Sequence, residues 1–127
     1  MDKIVYVTGG ANGIGKAIVT LFCKDGADVT FCDIDTVAGE KLSIELSSYK
    51  CTYHEVDLSD ARVLEQSVNK VIEAKGNIDV IINNAGVSHF NSMLDITVED
   101  FDKVMDINLR PIFITARTLA KHRDAHP

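Results

Sequence analysis

The chain has 127 residues, 46% of them hydrophobic, and carries 13 Lys and Arg against 19 Asp and Glu for a formal net charge of −6. That length holds one domain with one core, and the composition excludes disordered, collagen-like and disulfide-scaffold classes. An acidic balance with no Lys/Arg cluster longer than Lys121-His122-Arg123 excludes a nucleic-acid surface, which needs a basic patch to displace counterions.

The elements alternate along the chain. Ile4-Val5-Tyr6-Val7 is a short apolar run, stopped by Gly9-Gly10, and reads as a strand buried on both faces. Apolar residues at Ile14, Ala17, Ile18, Leu21 and Phe22 give helical spacing up to Lys24, with Gly26 as the stop. Val29 to Cys32 is a second strand ending at Asp33, and Val37 to Ser47 a second helix with Leu42 and Leu46 in phase. Cys51 to Val56 is a third strand. Ala61 to Ala74 is a third helix, with Asp60 as its N-cap and Gly76 closing it. Val80-Ile81-Ile82 is a fourth strand running into Asn83-Asn84-Ala85-Gly86. A loop follows, then one long helix with the stripe Phe101, Val104, Met105, Leu109, Ile112, Phe113, Ala116 and Leu119.

Strands joined by helices predict an α/β fold, a doubly wound parallel sheet of Rossmann-like type with right-handed crossovers. Residues 1–127 read as a single dinucleotide-binding domain with no linker, repeat or low-complexity segment. The three cysteines, Cys23, Cys32 and Cys51, are odd in number and lack a CxxC spacing, so they read as reduced, mostly buried thiols. The start of the chain does not resemble a signal peptide, and no run approaches the roughly 18 apolar residues of a membrane span. A soluble, cytoplasmic protein without a membrane partner is the expectation.

Between the first strand and first helix lies Thr8-Gly9-Gly10-Ala11-Asn12-Gly13-Ile14-Gly15. A glycine-rich turn opening a helix lets backbone N–H groups approach a pyrophosphate, and the helix dipole favours negative charge there. The strand–loop–helix context strengthens the motif; a plain tight turn is the bland alternative. It is not a nucleoside-triphosphate loop, because Gly15-Lys16 is followed by Ala17 and lacks the hydroxyl that would hold magnesium. Asp33 stands 18 residues beyond Gly15 at the end of the second strand. A carboxylate there can accept both ribose hydroxyls of an adenosine and repel a 2′-phosphate, with Ile34 beside it. No Lys or Arg lies between Gly9 and Gly15, so NAD is expected over NADP. A solvated strand-end carboxylate is the other reading of Asp33.

Taken together, these residues resemble the short-chain dehydrogenase/reductase family. Thr8-Gly9-x-x-x-Gly13-x-Gly15 is similar to its cofactor fingerprint, Val56-Asp57-Leu58 to its adenine-contacting aspartate, and Asn83-Asn84-Ala85-Gly86 to its NNAG motif. Met105-Asp106-Ile107-Asn108-Leu109 resembles the helix segment that bears the family's structural and catalytic asparagine. The resemblance implies cofactor contacts at Thr8, Gly9, Asn12, Gly13, Ile14, Gly15, Asp33, Ile34, Asp57, Leu58, Asn84, Ala85 and Gly86, and a catalytic role for Asn108. Physically, Asn108 is a polar group inside an apolar stripe and needs partners. Pro111 lacks the N–H that would bond the carbonyl of Ile107, so a kink near Asn108 is expected.

The family's chemistry uses a tyrosine with a lysine four residues later. Four residues beyond Tyr6, Tyr49 and Tyr53 stand Gly10, Tyr53 and Asp57. The catalytic pair would lie beyond Pro127, so the fold is expected to be truncated after the fourth strand and the long helix. The chain is then the NAD-binding portion of an oxidoreductase that exchanges hydride with an alcohol or ketone, and its own hydride transfer would be lost or feeble. The alternative is a non-catalytic Rossmann module that binds a nucleotide or a partner. No metal site is expected: His122 and His126 share a helical face without a third ligand and read as a fraying terminus, and His89 reads as a solvated loop residue. A bare fourth strand and a half-covered long helix, with Phe101, Val104, Leu109 and Phe113 partly exposed, predict self-association, as a dimer in the family's manner.

Overall fold

The computed structural model describes residues 2–88 and 91–127. His89 therefore lies outside the described residues. The chain runs β1 (Ile4–Thr8), α1 (Gly13–Lys24), β2 (Asp28–Asp33), α2 (Thr36–Glu45), β3 (Cys51–Glu55), α3 (Ala61–Lys75), β4 (Val80–Asn83), α4 (Val98–Asn108) and α5 (Arg110–Ala125). The strands form one parallel sheet in the order β3-β2-β1-β4. The order reverses direction between β1 and β4, the place where such sheets open a crevice at their carboxyl ends.

Helices cover both faces. On one face Val19 and Cys23 of α1 and Leu42 and Leu46 of the α2 region pack on Val5, Val7, Val29 and Phe31. On the other, Leu64, Val68, Val71 and Ile72 of α3 and Ile114 of α5 pack on Tyr6, Cys32 and Ile78. Val5, Tyr6 and Val7 are wholly buried, as a central strand of a two-faced sheet requires. Asp60 caps α3 by accepting from the Val63 N–H at 3.2 Å.

Two expectations are corrected. In α1 the inward seam is Gly15, Val19 and Cys23, whereas Ile14 and Leu21 are 75% and 68% exposed. Ile18 and Phe22 of the expected stripe are half-buried and pack against the same core. The long helix is two helices that meet at Leu109. Leu109 N–H still donates to Met105 O at 3.0 Å, but Pro111 has no N–H to offer, and the next turn closes tightly from Ile112 N–H to Leu109 O at 3.1 Å. Phe101, Leu109 and Phe113 are exposed, and Val104 is half-buried.

The end of α5 is also tied down rather than frayed. His122 Nε2 lies 3.1 Å from Gly76 O, Arg123 donates to Ile78 O at 2.9 Å, and the His122 and His126 rings stack at 4.7 Å. No cluster of three metal-ligating side chains occurs among the described residues, and none of their helices is long and apolar enough to cross a membrane.

Candidate functional site

The carboxyl ends of all four strands converge on one cleft of about 330 Å³. Gly9 and Asn12 come from the loop after β1, Asp33 and Ile34 from the end of β2, Val56, Asp57 and Leu58 from the segment after β3, and Asn84 to Val87 from the segment after β4. Ile107 of α4 closes one side.

The loop is held to its neighbours by its own backbone. Gly9 and Gly10 N–H both donate to Cys32 O, at 2.8 and 3.2 Å. Ala11 N–H donates to Asp33 Oδ2 at 3.1 Å, while Asp33 Oδ1 accepts from Asp35 N–H at 3.0 Å. Each carboxylate oxygen of Asp33 thus holds one backbone donor and keeps capacity for another. Its half-buried side chain lines the cleft.

The amino end of α1 differs from those of α2, α3 and α4. Those three are capped by Asp35, Asp60 and Thr97. Asn12 stands at the N-cap position of α1 but makes no side-chain cap, and its amide donates to Asp35 Oδ2 at 3.1 Å instead. First-turn N–H groups of a helix have no intrahelical acceptor, so this end keeps its donors and its partial positive charge for something else. Gly13, at φ +56°, has nothing within 4 Å of where a Cβ would stand. The amino end of the helix is therefore open.

Behind the loop the contacts are close. A Cβ on Gly15 would stand 1.9 Å from Gly9 O and 2.5 Å from Asn84 Nδ2. Asn84 Nδ2 donates to Gly9 O at 3.0 Å and to Thr8 O at 3.3 Å. The Thr8 hydroxyl is buried and accepts from the N–H groups of Asn84 and Ala85, at 3.1 and 3.2 Å. Thr8 and Gly15 thus build the loop from behind.

Asn108 has its partners as well. Its Oδ1 accepts from Val87 N–H and its Nδ2 donates to Val87 O, both at 2.7 Å. This two-point clasp, from the last residue of α4, holds the segment that leaves β4.

Asp35 and Asp57 are held below the ordinary carboxylate range. Asp35 accepts from Ala38 N–H and the Asn12 amide, and Asp57 from the Ser59 side chain and N–H. Both are ionised at neutral pH; Asp57 lines the cleft, and Asp35 stands beside the amino end of α1, bonded to Asn12. A buried polar chain runs beneath: His54 Nδ1 lies 2.7 Å from Ser67 Oγ, which lies 2.8 Å from Tyr6 Oη. Burial, then nearby Lys70, pushes the His54 pKa down.

Of the residues the sequence nominated, Gly9, Asn12, Asp33, Ile34, Asp57, Leu58, Asn84, Ala85 and Gly86 come together in the cleft. Gly13 and Ile14 stand at its helical border, and Ile14 turns its side chain to solvent. Val56, Val87 and Ile107 were missed. They are apolar linings without a chemical signature, and only their places beside Asp57, Gly86 and Asn108 could have pointed to them.

A family model described as short chain dehydrogenase matches residues 3–126. Short-chain dehydrogenase reductase 4 of Arabidopsis thaliana is 38% identical over 109 residues, which are 85% of this chain and 37% of that protein. Among solved structures, a short chain dehydrogenase from Burkholderia cenocepacia J2315 in complex with NADP superposes with a TM-score of 0.89 at 29% identity, covering 94% of this chain and 50% of that one. A 3-ketoacyl-(acyl-carrier-protein) reductase from Brucella melitensis complexed with NADH gives 0.88 at 26% identity, covering 94% and 49%. The chain thus spans half or less of the length of these proteins.

Proposed function

This chain belongs to the short-chain dehydrogenase family, and from that premise we propose that it binds the adenosine diphosphate half of a nicotinamide dinucleotide, NAD in preference to NADP. The observation that carries the reading is the uncapped amino end of α1, with Asn12 turned away to Asp35 and Asp33 lining the same cleft. The residues present fit the group. Open N–H donors at a helix amino end suit a diphosphate, a carboxylate with unused acceptor capacity suits a ribose diol, and apolar walls suit a purine.

In this reading the N–H groups of Gly13, Ile14 and Gly15 hold the diphosphate, and Asp33 accepts from the adenosine ribose hydroxyls. Asp57, Leu58, Ala85 and Gly86 border the adenine. Ile34 and Val56 exclude water from it. Asn108 acts as a positioning residue through Val87. When bound, the nicotinamide supplies the hydride acceptor or donor. The whole protein is then an oxidoreductase acting on a small alcohol or its ketone. The preference for NAD rests on charge: Asp33 and Asp35 meet any 2′-phosphate with negative potential, and the nearest cation after the loop, Lys16, lies 3.7 Å from Glu45. The exposed apolar side chains of Phe101, Leu109, Ile112 and Phe113 support self-association through α4 and α5.

Calorimetric titration of the folded chain tests the reading. NAD and ADP-ribose should bind with similar affinity, because the contacts lie in the part they share. NADP should bind at least about tenfold more weakly, a difference of about 1.4 kcal/mol. No heat with NAD or ADP-ribose would overturn the assignment, and equal affinity for NADP would overturn the preference.

A further inference from the structure

The cofactor reading leaves three thiols without a role, and the fold sorts them into a pair and a single. Cys23 is in the last turn of α1 and is buried against the sheet. Cys51 is the first residue of β3, an outer strand, and is half-buried against the same cluster. The turn after α1 leads directly into β2, with Gly26 N–H donating to Cys23 O and Ala27 N–H to Phe22 O, both at 3.0 Å. Val29 of β2 then pairs in register with Cys51. The two side chains are neighbours in that cluster. Cys32 faces the opposite side of the sheet, wholly buried in the other core cluster, where burial pushes its thiol up to about 11.

We propose that Cys23 and Cys51 form a redox-active dithiol that closes to an intramolecular disulfide on oxidation by a low-molecular-weight disulfide. Cys51 has solvent access and reacts first. The pair gives one proton to solvent and shares the other between its sulfurs. The Cys51 sulfur attacks one sulfur of the small disulfide, whose S–S bond breaks, and one small thiolate leaves and takes up a proton. Cys23 then loses the remaining proton and attacks the Cys51 sulfur of the mixed disulfide, expelling the second small thiol. Two protein thiols are oxidised, and one small disulfide is reduced to two thiols. In the free dithiol the Cys51 side chain holds the Cys23 thiol below its ordinary value against burial and the Asp28 carboxylate, which favours loss of the pair's first proton. Asp28 is itself paired with Lys75 at 3.0 Å.

The bond would close the segment from the end of α1 through β2 and α2 to β3, the part of the chain that carries Asp33 and Asp35. A ring of about 30 residues removes enough unfolded-state freedom to raise the melting midpoint by about 10–15 °C.

The test uses the folded chain incubated with oxidised glutathione, then unfolded and alkylated. The expected product has lost two hydrogens, carries one alkylated cysteine at Cys32, and yields a peptide linking Cys23 to Cys51. Its melting midpoint rises, and dithiothreitol reverses the change. Cys32→Ser should oxidise as the parent does, and Cys51→Ser should show no oxidant-dependent shift. Three alkylated cysteines after oxidation, a stable glutathione adduct on Cys51, or a link through Cys32 would each overturn the proposal. Should Cys51→Ser not fold, the peptide map of the parent chain decides alone.

Discussion

Gly15→Ala tests how the loop is built. The new Cβ would stand 1.9 Å from Gly9 O, 2.5 Å from Asn84 Nδ2 and 2.8 Å from Gly9 C. Two of these are backbone atoms, and the third belongs to an amide held at two points, so no flexible side-chain end can yield. Gly9 must retreat by about 1 Å or more to restore ordinary contact. That retreat breaks the hydrogen bonds from Asn84 Nδ2 to Gly9 O and Thr8 O, now 3.0 and 3.3 Å. Two lost bonds at about 0.5–1.5 kcal/mol each, with about 1–3 kcal/mol of overpacking, give a destabilisation of about 2–6 kcal/mol. Against a typical stability of about 5–15 kcal/mol this leaves a weakened but measurable fold. Gly13→Ala is the control: its Cβ meets nothing within 4 Å, and only the φ of +56° opposes it. It should cost about 1–2 kcal/mol in stability. Urea unfolding followed by circular dichroism suits a chain with no tryptophan. A Gly15→Ala midpoint equal to that of the parent, or no lower than that of Gly13→Ala, would refute the reasoning.

Three further outcomes are expected. Asp33→Ser removes the acceptor of the Ala11 and Asp35 N–H groups; it should lower stability by about 1–2 kcal/mol and raise the NADP-to-NAD affinity ratio at least about tenfold, read by unfolding and calorimetry. Asn108→Ala loses both 2.7 Å bonds to Val87, at about 1–3 kcal/mol, and hydrogen exchange at Val87 should quicken; an unchanged exchange rate would deny the clasp. His54 has a folded pKa below its ordinary 6.5, so the unfolded chain takes up the proton first. Stability should be full above that pH and fall as the pH drops below about 6.5. His54→Gln should flatten this slope, whereas Asp35 and Asp57, also lowered, act only below about pH 4.

The sequence carried the fold because its signals agreed. Each strand run ended at Gly, Asp or Asn, and Asp60 and Gly76 bounded α3 where expected. The site was legible where chemistry leaves a mark: Asp33, Asp57 and the Asn84-Ala85-Gly86 run all line the cleft. Two kinds of position were not legible. Helical phase in α1 was legible at Ile18 and Phe22, which pack on the core, but not at Ile14 and Leu21, which are exposed, and a glycine such as Gly15 gives no apolar signal even where it makes the closest approach to the loop. Depth escaped at Thr8, whose fingerprint place says that it belongs to the loop but not that its hydroxyl points inward to Asn84 and Ala85. Pro111 announced the break, which falls at Leu109 beside Asn108 as expected, because the N–H that Pro111 lacks would have bonded the carbonyl of Ile107.

In the proposed function the amino end of α1 and Asp33 together hold an adenosine diphosphate. Amide NMR spectra of the isotope-labelled chain, recorded as ADP-ribose is added, test it residue by residue. Saturable shifts at Gly13, Ile14 and Gly15, with Asp33 and Ala85 moving in the same titration, are the predicted result. Saturation with those amides unmoved, or shifts gathered instead along α3 and α5, would contradict it.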